Sequence, residues 1–212
     1  MHTETHRGPR KIVLTGGPGG GKTTAADLFR REMGERVVVV PEAATLLFSG
    51  GFPRVTPDDG RRAAQSAIFH VQRNLEDVRA TQYPDRVLLC DRGTVDGAAY
   101  WPGPPDEFFA RMGTTHAAEL ARYDAVLFFE SAATGGHAVI EGGNPTRNES
   151  VDEAARLDER VRALWSAHPR FVAVANQSSF FAKIERGFHA LEALFAEVAA
   201  LNAPGVPRGA GP

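Results

Sequence analysis

The sequence predicts an α/β domain built on a doubly wound parallel sheet, and three observations predict it. Five short β-rich runs alternate with stretches of helical periodicity. A glycine-rich loop separates the first run from the first helix. The chain has 212 residues, 42% hydrophobic and 24% charged, which is enough for one well-buried domain and short for two.

Lys11 to Thr15 is a β-rich run entering a glycine cluster, and Lys22 to Met33 spaces Ala25, Ala26, Leu28, Phe29 and Met33 helically. Arg36 to Val40 carries consecutive valines, the pattern of a strand buried on both faces, and stops at Pro41. From Arg61 to Gln82 a long helix is expected with Ala64, Ile68, Val71, Leu75 and Val78 as its core face and Gln65, Phe69 and Gln72 as a separate stripe. Val87 to Cys90, Ala125 to Phe129 and Phe171 to Ala175 read as the third, fourth and fifth buried strands. Short helices are expected at Asp106 to Met112 and Thr115 to Arg122. Longer ones are expected at Asp152 to Ala167 and Phe181 to Leu201, the last with Ile184, Phe188, Leu191, Phe195 and Val198 on one face. Ser49 to Gly60 and Ser131 to Ser150 have little to bury and read as surface loops, of a length often used for lids. The domain is thus 11–202, between a flexible amino-terminal tail (1–10) and a disordered carboxyl-terminal tail (203–212).

The formal charge of -2 is scattered along the chain, so no basic stripe points to nucleic acid, and no apolar run is long enough for a membrane span or a signal peptide. A cytoplasmic, small-molecule role is expected. Cys90 is the single cysteine; it excludes an internal disulfide and reads as a buried core thiol in a reducing compartment. His2 and His6, on the polar terminus, read as solvated.

Gly16-Gly17-Pro18-Gly19-Gly20-Gly21-Lys22-Thr23 matches the P-loop pattern, with a strand before it and a helix after it. Glycines let successive amides converge on one anion, and the helix start adds the positive end of its dipole. Gly17, Gly19, Gly20, Gly21, Lys22, Thr23 and Thr24 are therefore the expected nucleotide contacts, with Lys22 on the β- and γ-phosphates and the Thr23 hydroxyl on Mg²⁺. Asp91 closes a strand as a Walker B carboxylate does, and so is a second expected Mg²⁺ contact; an Asp there can also cap a helix or start a turn. Arg92 suits bidentate contact with phosphate or carboxylate.

Glu42 ends the second strand, beside the P-loop strand in the order usual for P-loop kinases. It is the candidate base for an acceptor hydroxyl, against the plainer role of a helix-entry acid. Arg147, in the second glycine-rich loop, is a candidate for neutralising the transferred phosphoryl group, and Arg156 for closing over the triphosphate or pairing on a charged surface. Gln65, Phe69 and Gln72 suit an acceptor pocket or an ordinary amphipathic boundary. Asn176, after the fifth strand, lies where a nucleoside base often passes.

The set KIVLTGGPGGGKTT, VVVVPEAA, VLLCDRG and NPTRNES resembles the small AAA-labelled P-loop proteins related to ribosylnicotinamide kinases, a group that includes the TRP-channel translocation-defect proteins. It is also similar in arrangement to deoxynucleoside kinases. The resemblance runs from about Lys11 to Val198 and implies a three-layer P-loop NTPase fold, a five-stranded parallel sheet and a lid at about 131–160. It also implies Glu42 as base and Asp91 with Arg92 serving phosphate and metal. The expected activity is transfer of the γ-phosphate of ATP, with GTP admissible, to a hydroxyl of a nucleoside-like or other small acceptor, with Mg²⁺. The alternative is a nucleotide-regulated binding protein. No Asn-Lys-x-Asp guanine motif is present, and a homodimer is left open.

Overall fold

Each β-rich run becomes a strand: β1 (Lys11–Thr15), β2 (Val37–Val40), β3 (Val87–Asp91), β4 (Ala125–Phe129) and β5 (Phe171–Val174). This computed structural model describes residues 9–131, 151–177 and 179–200. The strands pair in parallel in the order β2-β3-β1-β4-β5, so their carboxyl ends share one edge. Around the sheet lie α1 (Lys22–Met33), α2 (Ala43–Ser49), α3 (Asp58–Gln82), α4 (Asp96–Tyr100), α5 (Pro105–Arg111), α6 (His116–Leu120), α7 (Val151–Trp165) and α8 (Phe180–Ala200). The predicted three-layer P-loop NTPase architecture is the observed one.

Alternation along each strand divides the core in two. Ile12, Leu14, Leu89 and Leu127 face a layer containing Phe29 of α1 and Leu191 of α8. Val13, Leu88, Cys90 and Val126 face a layer containing Phe69 of α3 and Trp165 of α7. Cys90 is fully buried, and burial, followed by the Glu76 carboxylate, pushes its thiol well above the usual range. Among the described residues no helix is long and apolar enough to cross a membrane.

Three expectations are corrected. The second strand does not neighbour the P-loop strand, because β3 lies between them. Nor is it buried on both faces: Val38 and Val39 are half-buried. Burial explains the order, since the wholly buried Leu88, Leu89 and Cys90 belong in the middle of the sheet and β2 tolerates its edge. Third, the expected core face of α3 is rotated: Val78 is 53% exposed, while Ala64, Phe69, Gln72 and Glu76 are buried. Glu76 turns the helix this way. It is 0% exposed and accepts from Lys11 Nζ at 2.9 Å, Arg122 Nη2 at 2.8 Å, the Tyr123 hydroxyl at 2.8 Å and Gln72 Nε2 at 3.3 Å. A buried carboxylate deprived of such donors is costly, so the helix seats with Glu76 facing them. α2 was expected only through the plainer role of Glu42 as a helix-entry acid, and Glu42 is indeed its N-cap; α4 was not foreseen, and at seven and five residues both are too short for periodicity to reveal.

Candidate functional site

The chain leaves β1 through Gly16, whose φ of 135° and close approach to Phe129 demand glycine: a Cβ would lie 2.0 Å from the Phe129 carbonyl oxygen. Gly19 (φ 74°) and Gly21 (φ 83°) take the left-handed turns that aim successive amides inward. Gly21 is the N-cap of α1 and no side chain caps that end, so the first-turn amides of α1 are presented to an anion rather than to the protein's own acids. Lys22 is buried at 3% exposure, and its ammonium donates to the Gly17 carbonyl at 2.7 Å. Thr23, Thr24 and Gly19 are exposed at the mouth of this cradle, and Gly20 is buried beneath it.

The cradle is braced from α7. Asp158 Oδ1 accepts from the Gly17 amide at 2.7 Å and from the Ser131 amide at 2.9 Å, while Ser131 Oγ donates to the Pro18 carbonyl at 2.5 Å. Burial raises the Asp158 carboxyl above its usual range, although both amides oppose the shift. Among the expected nucleotide contacts, then, the Gly17 amide is engaged within the protein.

At the end of β3, Asp91 Oδ2 accepts from the Thr23 hydroxyl at 2.8 Å. Its Oδ1 is buried and has no hydrogen-bond partner. Burial, and next the neighbouring Glu42, raise the Asp91 carboxyl. An orphaned buried carboxylate oxygen beside a P-loop threonine hydroxyl fits an oxygen-seeking divalent cation held directly or through water, so the residues present suit Mg²⁺. Among the described residues no group of three or more His, Cys, Asp or Glu forms an all-protein cage.

Arg92 adopts φ 70°, the one left-handed non-glycine among the described residues. Such a conformation costs about 1–3 kcal/mol and persists only where the surroundings fix it. Here its amide donates to the Leu14 carbonyl and its own carbonyl accepts from Gln72 Nε2 at 3.2 Å. Nε donates to Glu42 at 2.5 Å and Nη1 to Asp96 at 2.9 Å, and the guanidinium lies 5.6 Å from the Tyr100 ring centroid. Glu42 also accepts from the Thr45 hydroxyl at 2.5 Å. One arginine thus spans the carboxylates after β2 and β3.

These groups open onto a cavity of about 160 Å³. Pro18, Glu42 and Arg92 line its P-loop end; Gln65, Phe69 and Gln72 line it from α3, Phe48 from α2 and Tyr100 from α4. The stripe singled out in the sequence therefore does line one pocket with the candidate base. Its members differ in what they offer. Gln72 is 3% exposed and its amide is spent, accepting from the Ala43 amide and donating to Glu76 and the Arg92 carbonyl. Phe69 is 2% exposed and packs edge-on against Phe108 at 5.7 Å. Gln65 is only half-buried.

Arg156 is exposed on α7. Asn176 is drawn into the anchorage of α8: Nδ2 donates to the Ser131 carbonyl at 2.8 Å, and Oδ1 accepts from Lys183 at 3.0 Å. Arg147, most of the expected lid (132–150) and the residues of both tails at 1–8 and 201–212 lie outside the described residues.

Sequence reasoning passed over three site-forming acids. Asp96, 4% exposed, accepts from the Thr15 hydroxyl at 2.7 Å, Arg92, the Gly93 amide and Trp165 Nε1. Its four-residue spacing from Arg92 was the available signal. Glu76 extends the stripe 65-69-72 by one further turn. Asp158 is 3% exposed, and nothing local in the sequence distinguishes it from its charged neighbours.

A family model described as an AAA domain matches residues 11–183. None of the curated proteins compared with the chain matches it. The matched span takes in all five strands, the phosphate cradle and both carboxylates, so this chain belongs to the AAA-domain family and is a nucleotide-binding domain of the P-loop NTPase type.

Proposed function

We propose that the protein is a small-molecule kinase, moving the γ-phosphate of ATP to a hydroxyl of a nucleoside-like acceptor seated in the cavity beside Glu42. The observation that carries the reading is one partly open pocket lined both by Glu42 and Arg92 and by the P-loop residue Pro18. A pure hydrolase needs no such space next to its phosphate cradle, whereas a kinase must exclude water from the acceptor.

Lys22 and the amides of the loop and of α1 bind the polyphosphate. Thr23 and Asp91 would hold Mg²⁺, which would supply positive charge against the triphosphate. Glu42 takes the proton of the acceptor hydroxyl as that oxygen bonds to the γ-phosphorus and the bond to the bridging oxygen breaks, leaving ADP. Arg92 holds the Glu42 carboxylate in place through the 2.5 Å contact, and Thr45 fixes its second oxygen. Phe69 and Phe48 add apolar lining for the acceptor, and Gln65 adds a polar group.

The test is transfer of labelled γ-phosphate from ATP, and in parallel from GTP, to a panel of nucleosides and small hydroxyl metabolites. Acceptor-dependent labelled product supports a kinase. Tight nucleotide binding with no acceptor-dependent transfer favours a nucleotide-regulated binding protein instead.

A further inference from the structure

Phe180 and Phe181, adjacent at the start of α8, are 39% and 75% exposed, while most large apolar side chains among the described residues are at least partly buried. Phe180 is not loose on the surface. Its ring lies on Gly21, where a Cβ would come within 2.5 Å of Cε2 and 3.2 Å of Cζ. Gly21 is the N-cap of α1, so the ring flanks the phosphate cradle at the helix whose amides face the anion.

The turn carrying this ring is anchored. The Ala182 amide donates to Ser179 Oγ at 3.1 Å, and Lys183 Nζ donates to the Glu130 carbonyl and, at 3.0 Å, to Asn176 Oδ1. Glu130 and Asn176 follow β4 and β5, so the aromatic face is fixed relative to the sheet edge that holds the cradle. Burial lowers the Lys183 ammonium below its ordinary range, in keeping with an enclosed structural contact. A nucleotide whose phosphates fill the cradle must lay its sugar and base on the neighbouring surface. A rigid, half-exposed aromatic ring at that place offers a base a π-face and a means of removing apolar area from water.

We infer that Phe180 is a stacking platform for a purine nucleobase, extending the nucleotide site from the P-loop onto the first turn of α8. The inference rests on the nucleotide-binding reading above and adds to it the group that recognises the base. Stacking on a ring face is tolerant of base identity, so adenine and guanine are both accommodated there.

The experiment is calorimetry on the full chain with Mg²⁺ and, separately, ATP, GTP and inorganic tripolyphosphate. The wild type should bind at least one nucleotide about tenfold more tightly than tripolyphosphate, and Phe180→Ala should remove that advantage while leaving tripolyphosphate affinity unchanged. Phe180→Leu keeps apolar cover on Gly21 without a π-face, so it should behave like the alanine variant and serves where that variant does not fold. Equal affinity of the wild type for nucleotide and tripolyphosphate overturns the platform, as does an equal loss of both ligands in the variants. A wild type that binds none of the three overturns the nucleotide-binding reading itself.

Discussion

Replacing Asp91 by Asn should move stability in opposite directions with and without ligand. In the free protein the Asp91 carboxyl is held above its usual range by burial and by Glu42, and its Oδ1 has no partner. A carboxyl with a raised folded pKa stabilises the fold below its unfolded value and loses that contribution as pH rises through the folded value. At neutral pH the ionised group therefore weighs against folding, and Asp91→Asn should raise the melting temperature of the free protein while flattening its decline from acid to neutral pH. Asn keeps an oxygen for the Thr23 hydroxyl, so that 2.8 Å bond need not be lost. With saturating Mg²⁺ and ATP the order should reverse. Ligand at 100 times its Kd contributes about 2.7 kcal/mol, which for a chain of this size is an upshift of about 5–11 °C. The variant should show a smaller upshift, because a neutral amide holds a divalent cation poorly. Thermal denaturation of both proteins, with and without Mg²⁺ and ATP across pH, is the assay. A free variant that melts below the wild type, or equal upshifts in the two proteins, would refute the assignment of Asp91 as a cation contact.

Other outcomes follow from the same geometry. Lys22→Ala removes a charged donor from the cradle and should weaken Mg²⁺-ATP binding by about 1.5–3 kcal/mol by calorimetry, with the far-ultraviolet circular dichroism unchanged. Glu42→Gln should slow phosphate transfer by about 10²–10⁴ while ATP affinity holds; equal losses in turnover and affinity would count against a base. Gln72→Leu strands the Ala43 amide and the Arg92 carbonyl and should cost about 2–4 kcal/mol in urea denaturation. Gln65→Ala, on the same helix, should change stability by less than about 0.5 kcal/mol and instead raise the KM for the acceptor.

Much of this was legible in the sequence because the signals were local. The glycine run from Gly16 to Gly21 followed by Lys22 and Thr23 dictates a loop between strand and helix, and that is what forms. Asp91 is one residue beyond an apolar run, so its place at the sheet edge could be read directly. Strand order could not, since it depends on which strands can afford an open edge, a comparison across the whole sheet. The facing of α3 was misread for a related reason. Its inward side is chosen by Glu76 meeting Lys11, Arg122 and Tyr123, partners 46 to 65 residues away that periodicity within one helix does not contain. Asp158 was illegible on the same grounds: its partners are the Gly17 and Ser131 amides, 141 and 27 residues distant.

That brace from α7 explains a residue the nucleotide does not. The loop pattern admits any amino acid at position 17, and the φ of Gly17 is not among the left-handed ones. Even so, a Cβ there would stand 2.6 Å from Asp158 Oδ1 and 2.9 Å from the Asp158 Cα, too near for α7 to keep its seat. Homologous sequences should accordingly exchange positions 17 and 158 together: a bulkier residue in the loop goes with a smaller or differently placed one on the helix, and either change alone should be rare.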